Sequence, residues 1–104
     1  MYDTKLLISG IKDVSDAYLN AKRRLNDYEH GVYEYPMYII SDSMKIVDHI
    51  DSVIESMDEK SKLILENEIC KRKSGSWYLE YCSATTYYKI RNEVYREFLI
   101  KLEK

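Results

Sequence analysis

Backbone punctuation in this 104-residue chain comes down to Pro36 and the glycines at positions 10, 31 and 75. A many-stranded fold needs frequent turns, and turns draw on glycine and proline, so their scarcity points to long uninterrupted helices. The apolar spacing agrees. Leu7, Ile11, Val14, Tyr18, Ala21, Leu25 and Tyr28 advance in alternating steps of four and three, which places them on one face of a helix. Lys12, Asp13, Asp16, Asn20, Arg23 and Asp27 fill the opposite face. Gly31 stands where a left-handed cap would end the helix, and Gly10 weakens its first turns.

Pro36 forces a break, and a second stripe follows at Ile40, Met44, Val47, Ile50, Ile54 and Met57. It predicts a helix over 38–56 that folds back on the first as an antiparallel hairpin, with Tyr33, Tyr35 and Tyr38 packing the connection. The stripe of the first helix suits either an internal core or the seam of a homodimer. A third helix starts at Asp58 as N-cap with Glu59 in its first turn, carries Leu63, Ile64, Leu65, Ile69 and Cys70 on its apolar side, and closes with Lys71, Arg72 and Lys73. Gly75 interrupts the chain, and "WYLEY" is left as a short helix of about two turns at most. Ser83 caps the last helix, whose buried stripe is Tyr87, Ile90, Val94, Phe98 and Leu102. The expected fold is therefore all-α, an N-terminal helical hairpin (1–57) followed by a three-helix helix-turn-helix unit (58–104).

The formal net charge of −2 conceals an asymmetry. Residues 1–60 hold seven Lys or Arg against twelve Asp or Glu, and residues 61–104 hold nine against six, so the second part is basic and suited to an anionic partner. No apolar run approaches the roughly 20 residues that span a bilayer, and the acidic start of the chain is unlike a signal peptide, which predicts a cytoplasmic protein without membrane contact. Cys70 and Cys82 belong to no C-x-x-C pair and His30 and His49 lie far from both, so two buried thiols are expected rather than a metal site. Glycine-rich phosphate loops, H-E-x-x-H and nucleophile elbows are missing from the sequence, so neither an enzyme nor a cofactor is expected.

On the wheel of the last helix, Thr85, Tyr88, Lys89, Asn92 and Arg96 fall away from the buried stripe. A tight turn followed by a helix with polar side chains at its N-terminal end is the arrangement that places a helix in the major groove of double-stranded DNA. Lys89 and Arg96 suit phosphate or guanine, Asn92 suits adenine, and the Thr85 methyl suits thymine. Lys71, Arg72 and Lys73 are placed to hold the phosphate backbone. A plainer account is also available, with Glu93–Arg96 and Glu97–Lys101 as ordinary ion pairs on a solvated helix and Tyr78, Tyr81, Tyr87 and Tyr95 as core.

The segment from Met57 to Leu99, above all "CSATTYYKIRNEVYREF", resembles the C-terminal helix-turn-helix of phage late-transcription regulators of the ArpU and RinA type, itself similar to region 4 of sigma factors. Ser83, Thr86, Tyr87, Tyr88 and Lys89 look like that family's Ser-x-x-Thr-Tyr-Tyr-Arg step, with Lys89 in place of Arg. The resemblance implies that Ser83 is the cap and that Thr86, Tyr88 and Lys89 face DNA. Trp77 stands where the family has a small residue, and Tyr81 where it has the turn glycine. Small mollicute proteins with a similar Trp and Thr-Tyr-Tyr-Lys tail also look alike, and that likeness implies no activity. The expectation is a DNA-binding transcription regulator whose hairpin dimerises or touches RNA polymerase. The alternative is a non-catalytic helical module that uses the same scaffold to bind another protein.

Overall fold

Asp3 opens the first helix of the computed structural model, which describes residues 3–32, 34–73 and 76–104. Its carboxylate accepts the Leu6 N–H at 2.9 Å and so satisfies one of the donors that a helix start leaves free. Helix α1 (Thr4–Glu29) then runs 26 residues, about 39 Å at 1.5 Å per residue, and sets the long dimension of the molecule. It ends as the glycine foretold. Gly31 adopts φ +67°, the Val32 N–H reaches the Asp27 carbonyl at 2.9 Å and the Gly31 N–H reaches that of Tyr28 at 3.2 Å. This is a Schellman cap, in which a residue with a Cβ is disfavoured. Nothing lies within 4 Å of where a Gly31 Cβ would stand, so only the backbone opposes substitution. Gly31→Ala should cost about 1 kcal/mol, read as a lower urea midpoint at unchanged m-value, and a neutral effect would show that the cap does not hold in solution.

Pro36 follows as the N-cap of α2 (Met37–Glu55), its carbonyl accepting from the N–H groups of Ile39 and Ile40. The hairpin forms as expected. Leu7, Ile11, Tyr18 and Ala21 of α1 and Ile40, Val47, Ile50 and Ile54 of α2 are buried, and Ser15 and Ser43 take places on the same two faces. Polar links cross it where the side chains leave the core: the Tyr18 hydroxyl donates to Asp51 at 2.9 Å, and Arg24 Nε donates to the Ser43 hydroxyl at 2.9 Å. The α1 stripe from Leu7 to Ala21 is taken up by packing within the chain. Each stripe has one exposed member, Tyr28 in the first and Met44 in the second.

Asp58 caps α3 (Glu59–Leu65) and accepts the Ser61 N–H at 2.8 Å. From Glu66 to Cys70 the helix widens into a π-turn, which hydrophobic spacing did not reveal. The Asn67 side-chain amide donates to the Leu63 carbonyl at 2.7 Å, taking the acceptor its own N–H would use, and the bonding shifts one residue on. The Lys71 N–H accordingly bonds the Glu66 carbonyl at 2.9 Å. The helix stops earlier than its three cations predict, because Arg72 takes φ +48° and the Lys73 N–H turns back to the Asn67 carbonyl at 3.0 Å. Gly75, expected to make this break, lies outside the described residues, as does Tyr33 of the interhelical connection.

A single 3-10 turn (Trp77–Glu80) leads to α4 (Ala84–Leu102), so the middle helix of the expected three is one turn long. Helix α4 contacts α1, α2 and α3. Gly10 permits its approach to α1, since a Cβ there would lie 3.2 Å from Leu99 Cδ1. His49 on α2 meets the Leu102 carbonyl at 2.9 Å and ties down the far end. The hairpin, α3, the π-turn and α4 contribute to one buried apolar cluster from Leu7 to Leu99. The described residues form no strand, and no helix among them is long and apolar enough to cross a membrane. Cys70 and Cys82, expected to be buried, are half-buried thiols.

Candidate nucleic-acid interface

Helix α4 can present its first two turns because its start is anchored from below. Ser83 accepts the Thr86 N–H at 3.3 Å and donates its hydroxyl proton to Thr86 Oγ1 at 3.0 Å, so cap and third residue hold each other. Beneath them lies an aromatic cluster. Tyr78 and Tyr87 are buried and stack with ring centroids 3.8 Å apart and planes 2° from parallel, and Trp77 meets Tyr87 edge-on at 5.5 Å. Glu68, on the π-turn, accepts from both Trp77 Nε1 and the Tyr87 hydroxyl. This carboxylate binds the 3-10 turn and α4 to the π-turn. Burial, reinforced by donation to Glu68, pushes the Tyr87 phenol far above its usual range. The plain account therefore holds for Tyr78, Tyr87 and Tyr95, which are core, and fails for Tyr81, which is 64% exposed.

Tyr81 does not need the conformational freedom of glycine. Its backbone sits at φ −107°, ψ −33°, which any residue adopts.

The nine residues expected at an interface separate into three groups. Thr85 and Lys89 are exposed, and Asn92 and Arg96 continue the same face half-buried. Thr86 and Tyr88 are exposed too, yet both are engaged: Thr86 in the cap, and Tyr88 with its hydroxyl 3.2 Å from that of Tyr78 and its ring 4.7 Å beneath the Arg91 guanidinium. Asn92 Oδ1 accepts from Arg91 at 3.2 Å, which occupies one of the two edges it needs to read an adenine. Lys71, Arg72 and Lys73 form the third group, exposed beyond the π-turn. Arg72 turns toward α1 and pairs with Asp16 at 2.7 Å. An acid of the hairpin thus neutralises one of the expected phosphate contacts.

Ion pairing distinguishes the cations of α4 further. Lys101 reaches Glu97 at 3.7 Å, as the plain account requires. Arg96 does not reach Glu93, and among the described residues neither Lys89 nor Arg96 has a carboxylate partner. The Arg96 Nε is moreover buried without a hydrogen bond.

Protein-family models, curated proteins and solved structures were compared with the chain, and none of them matches it.

One residue of this region escaped the sequence reading. Arg91 lies over the rings of Tyr88 and Tyr95, at 4.7 and 5.4 Å. The i, i+3, i+7 spacing of Tyr88, Arg91 and Tyr95 carries that signal, and it was hidden because the wheel was divided only into buried and exposed faces. Beside the aromatic cluster a groove of about 300 Å³ is lined mainly by apolar side chains, among them Leu63, Ile64, Trp77, Tyr81 and Ile90.

Proposed function

We propose that the chain is a cytoplasmic DNA-binding transcription regulator, in which the N-terminal half of α4 contacts the double helix. The observation that supports this best is that Lys89 and Arg96, two cations without carboxylate partners among the described residues, share the capped face of α4 with the exposed Thr85 and the half-buried Asn92. Glu93 stands at i+4 from Lys89 and i−3 from Arg96 and pairs with neither, which leaves both cations free to meet phosphate. Lys89, at the second turn, is the contact nearest the base edges, and Arg96 reaches the backbone. Lys71 and Lys73 add phosphate contacts, while Arg72 contributes little because Asp16 already holds it.

Fluorescence anisotropy with a pool of random duplexes tests this reading. The parent should bind in low salt with affinity that falls as salt rises, and Lys89→Ala should weaken binding and lower the salt slope by about one. Absence of binding at protein concentrations of about 10⁻⁴ M in low salt would end the proposal.

A second reading has its own observation. The apolar groove beside Trp77 and Tyr81, with Leu79 exposed nearby, suits a helical interaction module that meets another protein rather than DNA. Under that reading Lys89→Ala leaves partner binding unchanged and Tyr81→Ala weakens it, measured in the same buffer.

A further inference from the structure

A second cleft, of about 320 Å³, opens between α1, the chain after the π-turn and α4. Lys12, Arg72, Lys73 and Arg91 line it, brought from three separate parts of the chain. Glu68 is the one carboxylate in its wall, and its Oε1 already accepts from Trp77 and Tyr87. Asp16 answers Arg72. Lys12, Lys73 and Arg91 consequently have no carboxylate partner among the described residues. Among the described residues Arg91 donates only to Asn92, and its Nε is buried with no acceptor. Like charges gathered this way repel, and a group that brings acceptor oxygens and negative charge relieves the repulsion.

The backbone is shaped to make this gathering. Arg72 is the one described non-glycine residue with a positive φ, and it stands two residues beyond the π-turn. Left-handed backbone at a non-glycine residue is strained, and strain of this kind concentrates where a site must be held in place. Here it directs Arg72 and Lys73 back toward α1 and α4. Ile8, Ile11 and Tyr95 supply the apolar part of the lining, and of these Ile8 is exposed.

We propose that this cleft binds a small phosphate monoester, with the phosphate held by Lys12, Lys73 and Arg91 and the body of the molecule against the exposed side chain of Ile8. A monoester carries a charge of about −1.5 to −2 at pH 7 and three acceptor oxygens, which suits three unpaired cations better than a single carboxylate does. A volume of about 320 Å³ admits a small ligand of this class. The site shares Lys73 with the DNA reading but uses neither Lys89 nor Arg96, so Lys89→Ala, which weakens DNA binding, should leave binding in this cleft intact.

The test is a titration of the full chain with phenyl phosphate, followed by amide NMR, beside a control titration with phenol. Saturable shifts at Lys12, Lys73 and Arg91 with a Kd below about 1 mM, and none from phenol, are expected. The double variant Lys12→Ala and Lys73→Ala alters exposed positions only, and should weaken binding at least about tenfold while melting as the parent does. Asp16→Asn frees Arg72 for the ligand and should tighten binding about two- to fivefold, a gain that a damaged fold cannot produce. The proposal is overturned if no saturable shift occurs, or if the double variant binds equally well. It is equally overturned if the shifts centre on Lys89 and Arg96, which would assign phosphate to the α4 face and favour the backbone of a nucleic acid as its source.

Discussion

Phe98→Ala should remove about 3–5 kcal/mol of folding stability, the range for truncating a fully buried aromatic ring. Phe98 is completely inaccessible and lies on α4, the helix that touches α1, α2, α3 and the 3-10 turn. Its ring belongs to the single apolar cluster they share, and the void left by alanine cannot close without moving several helices at once. For a chain of this size the melting temperature should fall by on the order of 20 °C, followed by far-UV circular dichroism. Ile100→Ala is the control on the same helix, because Ile100 is 44% exposed. It should change stability by no more than about 0.5 kcal/mol. Equal effects of the two would mean that α4 does not pack on the hairpin as described. The functional reading depends on this packing, since a helix with a loose core side cannot hold Thr85, Lys89 and Arg96 in register against a duplex.

Alkali should unfold the protein over a narrow range above about pH 10. Tyr18, Tyr87 and Tyr95 are each about 95% or more buried, and burial raises all three phenols well above their usual range. Tyr18 and Tyr87 are raised further because each donates its proton to a carboxylate, Asp51 and Glu68 respectively. In the unfolded chain the same groups ionise near pH 10. Below that pH both states keep their protons and stability is unaffected. Above it the unfolded state loses protons that the folded state retains, so stability falls with rising pH, by up to about 1.4 kcal/mol per unit for each tyrosine and roughly 4 kcal/mol per unit for the three. Urea unfolding between about pH 8 and pH 11.5, with phenolate absorbance read alongside, checks this. The phenolate signal of these rings should appear only with unfolding, and Tyr95→Phe should flatten the slope by about a third. Stability that stays level to about pH 11 would show that the three rings reach water in the folded state.

Burial explains why part of this architecture was legible beforehand and part was not. The stripes from Leu7 to Leu25 and from Ile40 to Met57 repeat with the period of a helix, and the caps at Gly31, Asp58 and Ser83 depend on bonds within three to five residues. Such features are local, so spacing and residue type suffice to read them. The π-turn depended on one side chain, Asn67, competing with its own backbone, a choice that hydrophobic spacing does not encode. The left-handed turn at Arg72, just beyond the π-turn, broke the usual preference for glycine and could not be foreseen from it.

For the candidate interface the division falls in the same place. The sequence by itself determined that α4 would be capped at Ser83 and would turn Thr85, Lys89, Asn92 and Arg96 away from its buried stripe, because a helix repeats every 3.6 residues whatever it packs against. Only the tertiary structure decided which of those side chains remained unengaged. It set Arg72 on Asp16 across 56 residues of sequence, tied Tyr88 to Tyr78, and joined Lys12, Lys73 and Arg91 around one cleft. Charge acts through space over several ångströms, so the partner of a cation is fixed by how helices cross and not by its neighbours in the chain.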